Sequence, residues 1–161
     1  MAEQPPAGRN PEPDEGPDAS PAPAADEEPE SAYDLLQRGR DLMRRRHNAQ
    51  AAVVLERAVA LEPGKGSILE SLGRASFNAG HLARALEVFV ALLEVDPSSG
   101  YGHYALAQCL KKAGRVREAG TQLRLAVALD PGSSLYRAAL ARLPAPERDA
   151  PRSVGPAGAE P

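Results

Sequence analysis

The 161-residue chain contains one cysteine, Cys109, so no internal disulfide framework can form. It has no run of about 18 apolar residues, which excludes a membrane-spanning helix by length. Its first residues show no basic start followed by an apolar core, so no secretory signal is expected in this sequence. These absences together point to a cytoplasmic setting. Catalytic signatures are missing as well. No Gly-rich phosphate loop and no nucleophile elbow occur. The three histidines, His47, His81 and His103, are too far apart in sequence for a local metal motif, and Cys109 has no Cys or His partner at ligand spacing. Cys109 lies beside Leu106 and Leu110 and reads as a buried structural thiol. Neither an enzyme, a metal site nor a cofactor is expected.

The chain is uneven along its length. Residues 1–30 hold eight prolines and nine acids against a single base, Arg9, for a net charge of −8. Residues 144–161 hold five more prolines among Gly, Ala and charges. Neither segment has enough apolar content to offset the entropy of ordering its backbone, so both read as disordered tails. The stretch 31–143 carries sixteen bases and ten acids, a net of +6. The formal total of −3 thus joins an acidic tail to a basic folded unit.

That unit repeats every 34 residues, in frames 32–65, 66–99 and 100–133. Each frame ends alike, in Ala-Val-Ala-Leu-Glu-Pro, Leu-Leu-Glu-Val-Asp-Pro and Ala-Val-Ala-Leu-Asp-Pro, which puts Pro63, Pro97 and Pro131 in one column. Ala51, Ala85 and Ala119 form a second column, followed four residues later by Leu55, Phe89 and Leu123. Gly39 and Gly73 share a column with Ala107, and Gly80 shares one with Gly114. In the second frame a helix is expected over 68–78, with Ser67 and Glu70 as a capping box, then a turn at Gly80. A second helix is expected over 82–95, with Leu82, Leu86, Phe89, Leu92 and Leu93 in one buried stripe. Ser31 and Asp34 read as the cap of the first helix. The segment 134–143, with Leu135, Leu140 and Leu143 apolar, reads as a final helix covering the end of the stack. In the first frame Arg38 replaces the Leu72 and Leu106 of later copies, and Arg46 replaces Gly80 and Gly114.

This pattern resembles the tetratricopeptide repeat (TPR) family, a 34-residue helix–turn–helix with a small residue in the first helix, Ala and a large apolar residue in the second, and Pro after it. The resemblance covers residues 32–133. It implies an all-α solenoid of three helix pairs with a C-terminal capping helix, coiled so that the first helix of each pair lines a groove. Carried onto the three frames, that groove would present Tyr33, Leu36, Arg40 and Arg44, then Ser67, Glu70, Arg74 and Asn78, then Tyr101, Tyr104, Gln108 and Lys112. Tyrosines supply apolar area with a hydroxyl, and arginines supply bidentate carboxylate binding, a mixture suited to a peptide with acidic groups.

The function implied is non-catalytic recognition of a protein or peptide, as in an adaptor, scaffold or assembly factor. Some TPR domains grip a chaperone's C-terminal carboxylate with Lys, Asn, Asn, Lys and Arg. The matching places here are Leu36, Arg40, Ser71, Tyr101 and Ala105, of which only Arg40 could donate a charged hydrogen bond, so that clamp is not expected. Three other readings stand beside peptide binding. The acidic N-terminal tail could contact its own groove, although a role in solubility alone is favoured. Copies could associate weakly through Leu135, Tyr136 and Leu140, with a monomer as the alternative. Arg44–Arg46 could meet RNA, but the unit is only mildly basic, and a solvated turn is favoured over a nucleic-acid site.

Overall fold

A computed structural model describes residues 29–144; the acidic and C-terminal tails read from the sequence lie almost wholly outside the described residues. Those residues form seven helices and no strand: α1 (Ala32–Arg44), α2 (Asn48–Leu61), α3 (Gly66–Asn78), α4 (Leu82–Val95), α5 (Gly100–Lys112), α6 (Val116–Leu129) and α7 (Ser134–Ala141). The odd-numbered helices start 34 residues apart. Helices pair as α1–α2, α3–α4 and α5–α6. Each pair packs on the next through α2–α3 and α4–α5, and α7 packs on α6. The first helices also touch, α1 with α3 and α3 with α5. The described residues form a TPR-type all-α solenoid of three pairs with a terminal helix.

Within a pair, side chains of the second helix press on the backbone of the first. A Cβ at Gly39 would lie 2.5 Å from Leu55 Cγ, and one at Gly73 would lie 2.7 Å from Phe89 Cε1. These glycines set the closeness of the helices. Ala51, Ala85 and Ala119 are fully buried beside them. The core runs unbroken from Leu35 and Leu55 through Leu72 and Phe89 to Leu110 and Leu123. Of the expected α4 stripe, Phe89 and Leu92 are buried, while Leu82, Leu86 and Leu93 are half-buried; Val88 joins them inside.

The turns within the pairs share one geometry. The amides of His47, His81 and Arg115 each donate to the carbonyl five residues back, on Leu42, Ser76 and Leu110, at 2.9 Å. This is the Schellman closure, and it needs a positive φ at the residue before. Gly80 (φ 84°) and Gly114 (φ 77°) supply it, and Arg46 is forced to 63°. The residues after the second helices, Glu62, Asp96 and Asp130, all sit near φ −134°, ψ 82°, the extended conformation that a following proline imposes.

Caps fall partly as expected. Ser31 and Asp34 form a reciprocal capping box on α1. The box expected from Ser67 and Glu70 does not form. Helix α3 begins earlier, at Gly66 behind the extended Lys65, which offers no side-chain cap. Ser67 is therefore already inside the first turn, where its carbonyl accepts the Ser71 hydroxyl at 2.8 Å. The caps of α5 and α7 come instead from Ser99 and Ser133, in the same 34-residue column as Ser31 and Lys65.

The end helix α7 has no buried residue. Leu140 and Leu143 lean on the core, but Leu135, expected to face inward with them, is 53% exposed. At the opposite end, Glu30 pairs with Arg38 on α1 (3.1 Å) and Arg57 on α2 (3.0 Å). Arg38 thereby covers with charge the face that Leu72 and Leu106 bury in later copies.

Candidate functional site: the face of the first helices

Two clefts lie side by side on the face made by α1, α3 and α5. The first, about 320 Å³, lies between α1 and α3 and is lined by Arg40, Met43, Arg44, Ser71, Arg74 and Asn78. The second, about 250 Å³, lies between α3 and α5, where Arg74, Phe77, Asn78, Tyr101, Tyr104 and Gln108 form its walls. Arg74 and Asn78 belong to both, so the clefts adjoin across α3. Helical spacing explains the alignment: Arg40, Arg74 and Gln108 stand at one position of their helices, and Arg44, Asn78 and Lys112 stand one turn later.

The aromatic wall is continuous. Tyr101 and Tyr104 lie with ring centroids 6.2 Å apart, and Tyr104 stacks on Tyr136 of α7 at 5.3 Å. Burial pushes the Tyr101 phenol up to about 12, with Arg74 opposing and Glu70 reinforcing the shift, so it stays a neutral donor at ordinary pH. Lys112 places its ammonium 4.7 Å from the centroid of the Phe77 ring, a cation–π contact with a residue of the second cleft. Arg74 pairs loosely with Glu70 (3.7 Å), and Arg44 pairs with Asp41 on its own helix. Arg40 makes no ion pair among the described residues.

The twelve residues proposed from the sequence thus separate. Arg40, Arg44, Arg74, Asn78, Tyr101, Tyr104 and Gln108 line the two adjoining clefts. Glu70 and Lys112 flank them through Arg74 and Phe77. Tyr33 and Ser67 lie exposed at the helix starts and line neither cleft. Leu36 is a correction: it is buried at 6% exposure, because its place on α1 turns into the core beside Leu35 and Gly39. Leu36, Ser71 and Ala105, three of the five carboxylate-clamp positions, are buried and carry no charge. Sequence reasoning missed Met43, Phe77 and the stacking of Tyr136. The Tyr101–Tyr104 spacing of three could have suggested an aromatic ladder, but its extension to α7 depends on how α7 docks.

Groups with chemical potential elsewhere are engaged in structure. Cys109 is fully buried, and its thiol is pushed up to about 11 by desolvation. His103, also buried, bridges the Pro97 carbonyl (Nε2, 3.1 Å) and the Gln122 amide (Nδ1, 2.7 Å), tying the α4–α5 turn to α6. Among the described residues no group of three or more His, Cys, Asp or Glu could hold a metal ion. No helix there is long and apolar enough to cross a membrane.

A repeat solenoid with a side-chain-lined groove on its first helices is the architecture of a helical-repeat interaction protein. Tetratricopeptide repeat family models match residues 36–89 and 77–143, and the chain belongs to that family. No curated protein matches it. Among solved structures, it is similar to the first TPR domain of Spaghetti (RPAP3) bound to the HSP90 peptide SRMEEVD, at 13% identity over 70% of this chain and 90% of that one, with a TM-score of 0.68. YrrB, a TPR protein with an unusual peptide-binding site, is similar at 24% identity over 70% of this chain and 58% of that one, with a TM-score of 0.67. The Yersinia enterocolitica type III secretion chaperone SycD, in complex with a peptide of the translocator YopD, is similar at 18% identity over 69% and 85%, with a TM-score of 0.62. At these identities the likeness is one of fold.

Proposed function

We propose that the chain is a non-catalytic interaction module, an adaptor, scaffold or assembly factor of the cytoplasm. It holds a peptide or protein segment across the adjoining clefts of α1, α3 and α5. The observation that carries this reading is the sharing of Arg74 and Asn78 by both clefts, which sets the clefts side by side for an extended segment crossing three repeats. Tyr101, Tyr104 and Phe77 supply apolar area, and Arg40, Arg44 and Arg74 supply charge for acidic groups. Peptide complexes of two similar folds, those of Spaghetti and SycD, support the same use of the architecture. We read residues 31–143 as the folded unit.

The acidic N-terminal segment is a secondary candidate for the same track. Its last described residue, Glu30, is held by Arg38, which helical geometry puts about 160° round α1 from Arg40. The segment would therefore have to turn around the start of α1 to reach the clefts, and we rank an external partner above it.

The test is an affinity capture from native lysate with the full chain and with an Arg40→Ala, Arg74→Ala, Lys112→Ala variant, both first shown to be folded by circular dichroism. A partner enriched by the native chain and lost by the variant supports the groove. A partner kept by the folded variant refutes it and moves binding to another face.

A further inference from the structure

The α1–α3 cleft does not end at the groove. It shares Met43, Arg44 and Asn78 with a third opening of about 460 Å³ at the α1–α2 turn, which adds Arg46 and Asn48. Four arginines, Arg40, Arg44, Arg46 and Arg74, therefore line one hollow made of two adjoining openings. Only two carboxylates accompany them, Asp41 on Arg44 and Glu70 on Arg74, and the second lies at a loose 3.7 Å. The hollow carries an excess of two positive charges, and Arg40 and Arg46 make no ion pair among the described residues.

Backbone geometry adds to this excess. Arg46 is held at φ 63°, in the left-handed region where a glycine stands in the other two repeats. The residue chosen for that strained place thus brings a fourth guanidinium to the hollow.

We propose that this hollow binds a phosphorylated serine or threonine carried by the partner segment. The inference rests on the groove reading above and names the chemistry of one of its subsites. A phosphomonoester carries close to two negative charges at neutral pH, which matches the local excess. Its three oxygens point in separate directions and can accept from arginines on different elements. A carboxylate offers two coplanar oxygens, which one guanidinium satisfies. Here the arginines come from α1, from α3 and from the α1–α2 turn. No lysine lines the hollow, in keeping with a site built from planar, fork-shaped donors.

The experiment uses the full chain and three fluorescein-labelled nonapeptide pools with randomised flanks. Their fixed centres are phosphoserine, serine or Glu-Glu, and binding is read by fluorescence polarisation. The phosphoserine pool is expected to bind at least tenfold more tightly than either other pool. Arg40→Gln and Arg74→Gln, each with an unchanged melting temperature, should each remove most of that preference. Equal binding of the Glu-Glu pool would overturn the assignment in favour of paired carboxylates. Equal binding of the serine pool, weakened by the triple variant, would overturn the phosphate site while leaving the peptide groove standing. A phosphoserine preference that survives both substitutions would place the anion elsewhere and overturn it too. Binding of no pool would sink the phosphate site, and the groove would still be judged by the lysate capture.

Discussion

Replacing Gly73 by alanine tests how the repeats are packed. The added Cβ would lie 2.7 Å from both Cε1 and Cζ of Phe89. Carbon atoms in good contact sit about 3.5–4.0 Å apart, so the ring or α3 must retreat by about 1 Å. Phe89 is 1% exposed, and a rigid ring cannot yield by a rotamer adjustment as a leucine can. Overpacking of this kind costs about 1–3 kcal/mol. Alanine returns about 1 kcal/mol of helix propensity over glycine. The net expectation is a loss of about 0–2 kcal/mol. Phe89→Leu alone leaves a void over Gly73 and costs about 1–2 kcal/mol. The double variant installs the pair found in the third repeat, Ala107 and Leu123, so the clash disappears and the propensity gain remains. It should be more stable than the sum of the single effects by about 1–3 kcal/mol. Gly39→Ala is the companion test: its added Cβ would lie 2.5 Å from Cγ of the fully buried Leu55, so it too should destabilise. The chain has no tryptophan, so urea and thermal melts are best followed by helical circular dichroism. A Gly73→Ala variant more stable than the native chain, or strict additivity in the double variant, would refute the argument.

Three further substitutions bring outlying positions back to the pattern of their columns. Arg46→Gly relieves a left-handed backbone and should stabilise the chain by about 1 kcal/mol, a rise of a few degrees in melting temperature, while weakening phosphopeptide binding. Lys65→Ser gives α3 the N-cap that Ser31, Ser99 and Ser133 provide elsewhere; a gain of about 0.5–1 kcal/mol is expected in urea melts, and no gain would mean that the Lys65 backbone cannot present a cap. Ser76 is fully buried, and its hydroxyl has no partner among the described residues, in a column where Leu42 and Leu110 stand. Ser76→Ala should therefore stabilise by about 1–2 kcal/mol in the same melts, and destabilisation would show that the hydroxyl is satisfied in solution.

Much of the fold was legible because it repeats. The 34-residue columns of Gly, Ala, large apolar residue and Pro report on the nearest neighbour within a pair, and the contacts of Gly73 with Phe89 follow from that spacing. The α4 limits and the turn at Gly80 were readable for the same reason, since a helix end that must reverse leaves a local mark. The cap of α3 was misread because Ser-x-x-Glu is a weak local signal, and the true start depends on how the extended Lys65 leaves the preceding turn. The Leu36 error is of another kind. A column assigned to the groove by family likeness held a leucine, and the burial of that leucine beside Leu35 and Gly39 outweighs the column.

The sequence by itself determined the class of fold, the order of the helices and the exclusion of a disulfide framework, because periodicity and composition act along the chain. Through its likeness to the repeat family it also assigned Arg40, Arg74, Tyr101 and Tyr104 to the first-helix face. Only the tertiary structure decided which of them meet. The adjacency of two clefts across Arg74 and Asn78, the reach of Tyr136 back onto Tyr104, and the gathering of four arginines around adjoining openings all depend on the rotation between successive helix pairs. That rotation is set by the sum of many side-chain packings, chiefly across α2–α3 and α4–α5 with smaller contributions from α1–α3 and α3–α5, and no single stretch of sequence encodes it.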